Sequence, residues 1–212
     1  LEGQYRVTIE HAELCLDDCA DITDQYWVAL PLALRNAVSV YEPKWQCWEP
    51  GKEDIWVRPL PKRAINDEAY FPFFQRDMEF EEFVPEFGEW YAQGKKTACL
   101  VGIRADESLN RFRTIASRHK ETVDGMQWTS VITENVANVY PIYDWKTEDI
   151  WTYHGKHPDR PYNKLYDLMG MAGLKPSQMR ICQPYGDDQR RGLWLFHLIE
   201  PETWARAVAR VN

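Results

Sequence analysis

The sequence predicts an α/β fold, a parallel sheet with flanking helices, on three observations. Residues 97–103, Thr-Ala-Cys-Leu-Val-Gly-Ile, are short and almost wholly apolar, with β-branched Val101 and Ile103. That is the pattern of a parallel strand covered on both faces. Residues 26–30, Tyr-Trp-Val-Ala-Leu, form a second such run, closed by Pro31. Segments of helical character accompany both runs.

The elements follow in order. Val7, Ile9, Leu14 and Leu16 recur at helix-like spacing, and the pattern fades at residues 17–20. Between residues 41 and 72, Pro43, Pro50, Pro59, Pro61 and Pro72 interleave with Trp45, Trp48 and Trp56. Prolines at that density exclude long helices and central strands. The result is an irregular aromatic insertion, read either as packed structure or as a lid or partner surface. Residues 80–93 predict an acidic amphipathic helix with Phe83, Phe87, Trp90 and Tyr91 on one side, Gly94 as its stop and Pro85 placed to kink it. Residues 108–118 are helical in composition, and residues 136–142 are a further strand. Thr147 is positioned to cap a helix whose first turn carries Glu148 and Asp149, favourable at the positive end of the helix dipole. Residues 162–171 form a short helix ended by Gly173, and residues 201–211 a last one with Trp204, Val208 and Val211 on one face. Residues 1–145 are thus a partial α/β core with the 41–72 insertion, and residues 146–212 a mostly helical extension of the same domain.

A chain of 212 residues suits one domain with a small appendage. The formal charge of −8 argues against a general nucleic-acid binder. No apolar run approaches the roughly 20 residues that span a bilayer, and no signal-peptide pattern opens the chain, so the expected compartment is the cytoplasm. Five cysteines, with no Cys-x-x-Cys pair, form neither a disulfide framework nor a zinc or iron–sulfur signature. His11, Cys15 and Cys19 recur at i, i+4, i+8, as soft zinc ligands or, on the plainer reading, a core-facing stripe. His154 and His157 near Asp159 suit either acid/base chemistry or a polar loop.

The richest stretch is the exit of the 97–103 run. Gly102-Ile103-Arg104-Ala105-Asp106-Glu107-Ser108 is followed by Arg111 and Arg113. In open α/β sheets ligands gather at the carboxyl ends of strands, and the guanidinium fork suits phosphate or sulfate. The rival reading pairs the arginines with Asp106 and Glu107 as ordinary ion pairs.

That stretch, followed by Tyr140-Pro141-Ile142-Tyr143-Asp144-Trp145-Lys146-Thr147-Glu148-Asp149-Ile150-Trp151, resembles the phosphoadenosine phosphosulfate reductase family. Leu1-Glu2-Gly3-Gln4-Tyr5 is similar to that family's acidic strand end near the nucleotide. Within the family the chain is most similar to the immunoglobulin-binding regulator A branch, through residues 26–40, residues 79–89 and the tail. The resemblance implies a Rossmann-like sheet of the adenine nucleotide alpha-hydrolase type and an adenine nucleotide, ATP or phosphoadenosine phosphosulfate, as ligand or substrate, with Mg²⁺ accompanying ATP and no iron–sulfur cluster. It implies Arg104, Arg111 and Arg113 as phosphate or sulfate ligands and Glu107 as the group orienting an arginine or a ribose hydroxyl. Ser108, Glu2 and Gly3 would lie at the nucleotide, with Asp144 and Trp145 holding the strand end. The family is enzymatic, of reductase or ATP pyrophosphatase and adenylyltransferase type, and belongs to sulfur metabolism. Its Ser-Gly-Gly-x-Asp-Ser phosphate loop is not in this sequence, where no two of the eleven glycines are adjacent. The expectation is therefore an incomplete domain that begins after the loop. The family's Glu-Cys-Gly-Leu-His segment is missing too, leaving Cys182 beside Arg180 as the weak candidate nucleophile. The alternative is a non-catalytic regulatory protein that keeps the nucleotide fold and acts with a protein partner.

Overall fold

The computed structural model describes residues 2–186 and 192–211, with the backbone alone at Val211. Leu1 of the N-terminal motif lies outside the described residues. In chain order the elements are α1 (Arg6–Asp18), β1 (Ala33–Arg35), β2 (Lys44–Gln46), α2 (Phe80–Ala92), β3 (Thr97–Leu100), α3 (Leu109–Ala116), β4 (Thr129–Val131), β5 (Val136–Val139), α4 (Thr147–Lys156), α5 (Leu165–Met171), α6 (Leu193–Ile199) and α7 (Pro201–Val211). They divide into two compact units, residues 81–160 and residues 1–80 with 161–212. Among the described residues no helix is long and apolar enough to cross a membrane.

The 81–160 unit is built on a three-stranded sheet of order β3-β5-β4. β3 runs parallel to β5, with Thr97 opposite Val136, as expected for the apolar run. β4 is antiparallel to β5, so the sheet is mixed rather than all-parallel. The short connection over residues 132–135 dictates this, since a tight turn joins only antiparallel neighbours. The expectation that residues 97–103 are covered on both faces is also corrected. Burial alternates along β3, and Leu100 is 72% exposed, so the strand has one covered face. α2 forms as predicted, contains Pro85 and ends before Gly94 at φ 75°, a left-handed position that suits glycine. Gly88 brings α2 close to β5, since a Cβ there would sit 3.2 Å from the Val136 methyls. Ser108 caps α3, its hydroxyl accepting from the Arg111 N–H at 3.2 Å. Thr147, expected as a cap, is instead the first helical residue of α4. Lys146 takes the cap position and donates its N–H to Asp149 at 2.8 Å, while Thr147 donates its N–H and hydroxyl to Asp106.

In the second unit the predicted strand at residues 26–30 stays extended without joining a ladder. It makes one parallel bridge, Val28 with Ile65, because its partner segment is the proline-broken insertion, which cannot extend a strand. β1 and β2 pair antiparallel, Leu34 opposite Trp45. Part of the insertion is core: Trp45, Cys47, Trp48 and Val57 are buried against Ala29, Leu34, Tyr185 and Ala207, while Tyr41 and Tyr70 stay exposed. A partner surface made of Trp45 and Trp48 is therefore ruled out by their burial. Glu2 organises this core. Fully buried, its carboxylate accepts the backbone N–H groups of Trp48 and Val57, and the Arg58 guanidinium donates to the Glu2 and Gln4 carbonyls. A second cluster forms where Tyr5 stacks on Phe196 at 3.7 Å between ring centroids, beside Leu165, Met169 and Leu195.

Two outcomes follow from these carboxylates. Glu2→Gln offers one acceptor where two buried donors need one each, so urea unfolding should show a loss of about 1–3 kcal/mol; an unchanged midpoint would contradict the hub role. Glu89 accepts from Thr133, from the Asn135 N–H at 3.0 Å and from the Asn135 amide at 3.1 Å, and these bonds hold its carboxyl below the usual range. Its stabilisation is complete above the ordinary carboxylate pKa and is lost as pH falls through the lowered value. Acid titration of Glu89→Gln should show a shallower loss of stability below pH 4.5 than the parent protein.

Candidate functional site

Parallel pairing in register sets the carboxyl ends of β3 and β5 side by side, so the loop after β3 and the turn after β5 open at one edge of the sheet. Arg104 joins them. Its guanidinium, only 13% exposed, lies 3.5 Å from Asp106 and 3.8 Å from Glu107 and donates to the Trp145 carbonyl at 3.4 Å. Glu107 also accepts from the Arg104 backbone N–H at 3.3 Å and lies 4.0 Å from Arg111. A second tie runs from the Ala105 N–H to the Tyr143 carbonyl at 2.8 Å. Ile103, Ile115 and Tyr140 form the buried base beneath. The Arg104 guanidinium is thus held between its own loop and the Trp145 carbonyl, whereas Arg111 and Arg113 are exposed on α3. Ser108 spends its hydroxyl on the cap of α3. Trp145 is half-buried and packs on Tyr153 at 6.1 Å between centroids.

Along α3 lies a groove of about 670 Å³, bordered by Ala105, Phe112, Ile115, Arg118, Tyr143 and Asp144, with Ala116 and Gln127 completing it. Sequence reasoning singled out Asp144 but passed over Arg118, Phe112 and Gln127. The available signal was the excess of basic residues continuing past Arg113 to Arg118 and Lys120. Lys120 has a different role. Its ammonium donates to the carbonyls of Thr114 at 3.3 Å, Ile115 at 2.8 Å and Gln127 at 2.6 Å. It thereby satisfies the last turn of α3 and fastens the 127 segment to it. Burial lowers its pKa.

The remaining predicted residues, Glu2, Gly3 and Cys182, belong to the other unit. Burial raises the Glu2 carboxyl above the ordinary carboxylate pKa, against the opposing pull of the Trp48 and Val57 N–H groups, Arg210 and Arg58. Gly3 is packed so that a Cβ would meet the Pro184 ring at 2.9 Å. Cys182 is half-buried in the segment before Pro184. Burial pushes the Cys47 thiol up to about 12 and also raises Cys15 and Cys99, so none of these three is poised as a thiolate. The core-stripe reading of His11, Cys15 and Cys19 is not what forms, because α1 buries none of its residues; Cys15 Sγ lies 3.6 Å from His11 Nε2 on the exposed side. No group of three or more potential metal-ligating side chains occurs among the described residues. His154 lies in the last turn of α4 and His157 just after it, both against the Tyr153 ring, while Asp159 pairs with Arg160 in the loop that follows.

Residues 72–170 match the phosphoadenosine phosphosulfate reductase domain, and residues 173–212 match a domain of unknown function, DUF3440. The whole chain is 47% identical, over 214 aligned residues, to the uncharacterized protein YbdN of Escherichia coli (strain K12). It spans about half of that relative's length, 52%. No solved structure matches the chain.

Lys120→Met should release the end of α3 from the 127 segment. Three charge-assisted bonds vanish together, so the expected cost is about 1–3 kcal/mol, with faster amide exchange at residues 116–118. Unaltered exchange there would show that Lys120 does not hold the groove.

Proposed function

With residues 72–170 belonging to the phosphoadenosine phosphosulfate reductase domain family, we propose that this protein binds an adenine nucleotide, ATP or phosphoadenosine phosphosulfate, at the joined carboxyl ends of β3 and β5. The observation that carries the reading is the Arg104 link, which fixes the loop after β3, with Arg111 exposed in the first turn of α3 and Arg113 exposed in its last turn. In this reading Arg111, near the positive end of α3, and Arg113 take the phosphate or sulfate oxygens as planar donors. Arg104 and Glu107 act as positioning residues: Glu107 orients Arg104 and Arg111, and Arg104 holds the loop to the β5 turn closed by Asp144 and Trp145. Such fixed donors stabilise charge developing on an α-phosphate or sulfonate, the chemistry assigned to the complete protein. Mg²⁺ would accompany ATP on its own phosphate oxygens. The protein would act in the cytoplasm, in sulfur metabolism.

A second reading, a regulator that binds nucleotide without turnover beside a protein partner, is favoured by one observation. The thiols of Cys15, Cys47 and Cys99 are all raised by burial, so none of these three suits thiolate attack on a sulfonate.

Calorimetry with ATP and with phosphoadenosine phosphosulfate, run in parallel, tests the proposal and ranks the two ligands. The double change Arg111→Ala and Arg113→Ala should weaken binding more than about tenfold while leaving stability within about 0.5 kcal/mol, since both residues are exposed. Arg104→Ala should cost both affinity and stability. Undiminished affinity in the double variant would overturn the assignment.

A further inference from the structure

The groove along α3 differs in character from the arginine loop it adjoins. Its walls are largely apolar and aromatic: Phe112, which is 51% exposed, Ile115 and Tyr143. Its charged members are Arg118 and Asp144, one of each sign and both exposed. Lys120, the neighbouring cation, is consumed by three carbonyls and does not serve as a counter-charge for Asp144. A groove with balanced charges and a carboxylate at its border suits a polyphosphate poorly, because Asp144 repels a multiply charged anion. It suits a ligand that brings one charge of each sign on an apolar body, each meeting its opposite at the groove's exposed border.

We infer that this groove binds a second ligand, a zwitterionic small molecule with a flat apolar body, the class that includes aromatic amino acids. Arg118 receives the ligand's carboxylate, Asp144 its ammonium, and the body lies against Phe112 and Tyr143. A cavity of about 670 Å³ has room for a two-ring body with its charged groups. Ala105 borders the groove and belongs to the arginine loop, so the ligand lies next to that loop.

The test is calorimetry on the whole protein with three probes that share one ring system: L-tryptophan, tryptamine and indole-3-propionate. L-tryptophan should bind at least tenfold more tightly than either singly charged analogue. Arg118→Met should bring L-tryptophan down to the level of tryptamine and leave tryptamine unchanged. Asp144→Asn should bring it down to the level of indole-3-propionate. Phe112→Ala, which keeps both charges, should weaken all three probes together. Equal affinity for the three probes, or binding of none, overturns the inference. Displacement of L-tryptophan by ATP, with ATP itself weakened by Arg118→Met, overturns it too, by giving the groove to the nucleotide. Loss of ATP binding alone, with the probe ranking intact, counts against the nucleotide proposal and not against the groove.

Discussion

Arg104 sits where two parallel strands stop, and the shape of the 81–160 unit at that edge depends on how its guanidinium is shared. Parallel pairing sends β3 and β5 out of the sheet on the same side, and nothing in the ladder itself holds the segments that follow. Beside the Ala105–Tyr143 backbone bond, one largely buried guanidinium does so by facing Asp106 and Glu107 of its own loop and the carbonyl of Trp145 across the gap. Asp106 then reaches Thr147 at the start of α4, and Glu107 reaches toward Arg111 at the start of α3. Helices α3 and α4 are therefore anchored through carboxylates that Arg104 holds in place. The ion pairs are compatible with the anion site proposed for Arg111 and Arg113. The pairs fix the loop, and the two arginines beyond it are exposed on α3.

The other unit solves a different problem. Its segments are short and proline-broken, and they make few ladder bonds of their own. A buried carboxylate at Glu2 supplies acceptors for the N–H groups of Trp48 and Val57, where the chain has no strand or helix to satisfy them. Burying that charge is unfavourable in isolation, which is why its pKa rises, and Arg58 and Arg210 offset part of the cost. The tryptophans then pack around this knot instead of meeting solvent.

Much of this was legible in the sequence where one local force dominated. The helices at residues 6–18, 80–92 and 201–211 follow from periodicity and punctuation, and Gly94 stops α2 because its backbone is left-handed there. Residues 97–103 read as a strand for sound reasons, but an apolar run does not reveal which neighbour covers it, and Leu100 stays exposed. Residues 26–30 carry a strand composition, yet a strand needs a partner, and the partner available was an insertion full of prolines. β4 was missed because Thr129-Ser130-Val131 is polar enough to pass for loop, and it pairs through the turn to β5. At the candidate site the arginines were visible as a cluster. Which of them is spent on its own loop depends on Trp145, forty-one residues away, and no local pattern carries that. The groove was hidden for the same reason, since its borders come from three separate segments.

The nucleotide site proposed at the ends of β3 and β5 lies within residues 72–170, the stretch that matches the phosphoadenosine phosphosulfate reductase domain. Mapping backbone amide shifts in isotope-labelled protein as ATP is added tests that proposal most directly. If the nucleotide binds at the Arg104 link, the amides of residues 104–113 and 140–145 move together along a single saturable curve. Shifts confined to other residues, or none at saturating ATP, would contradict it.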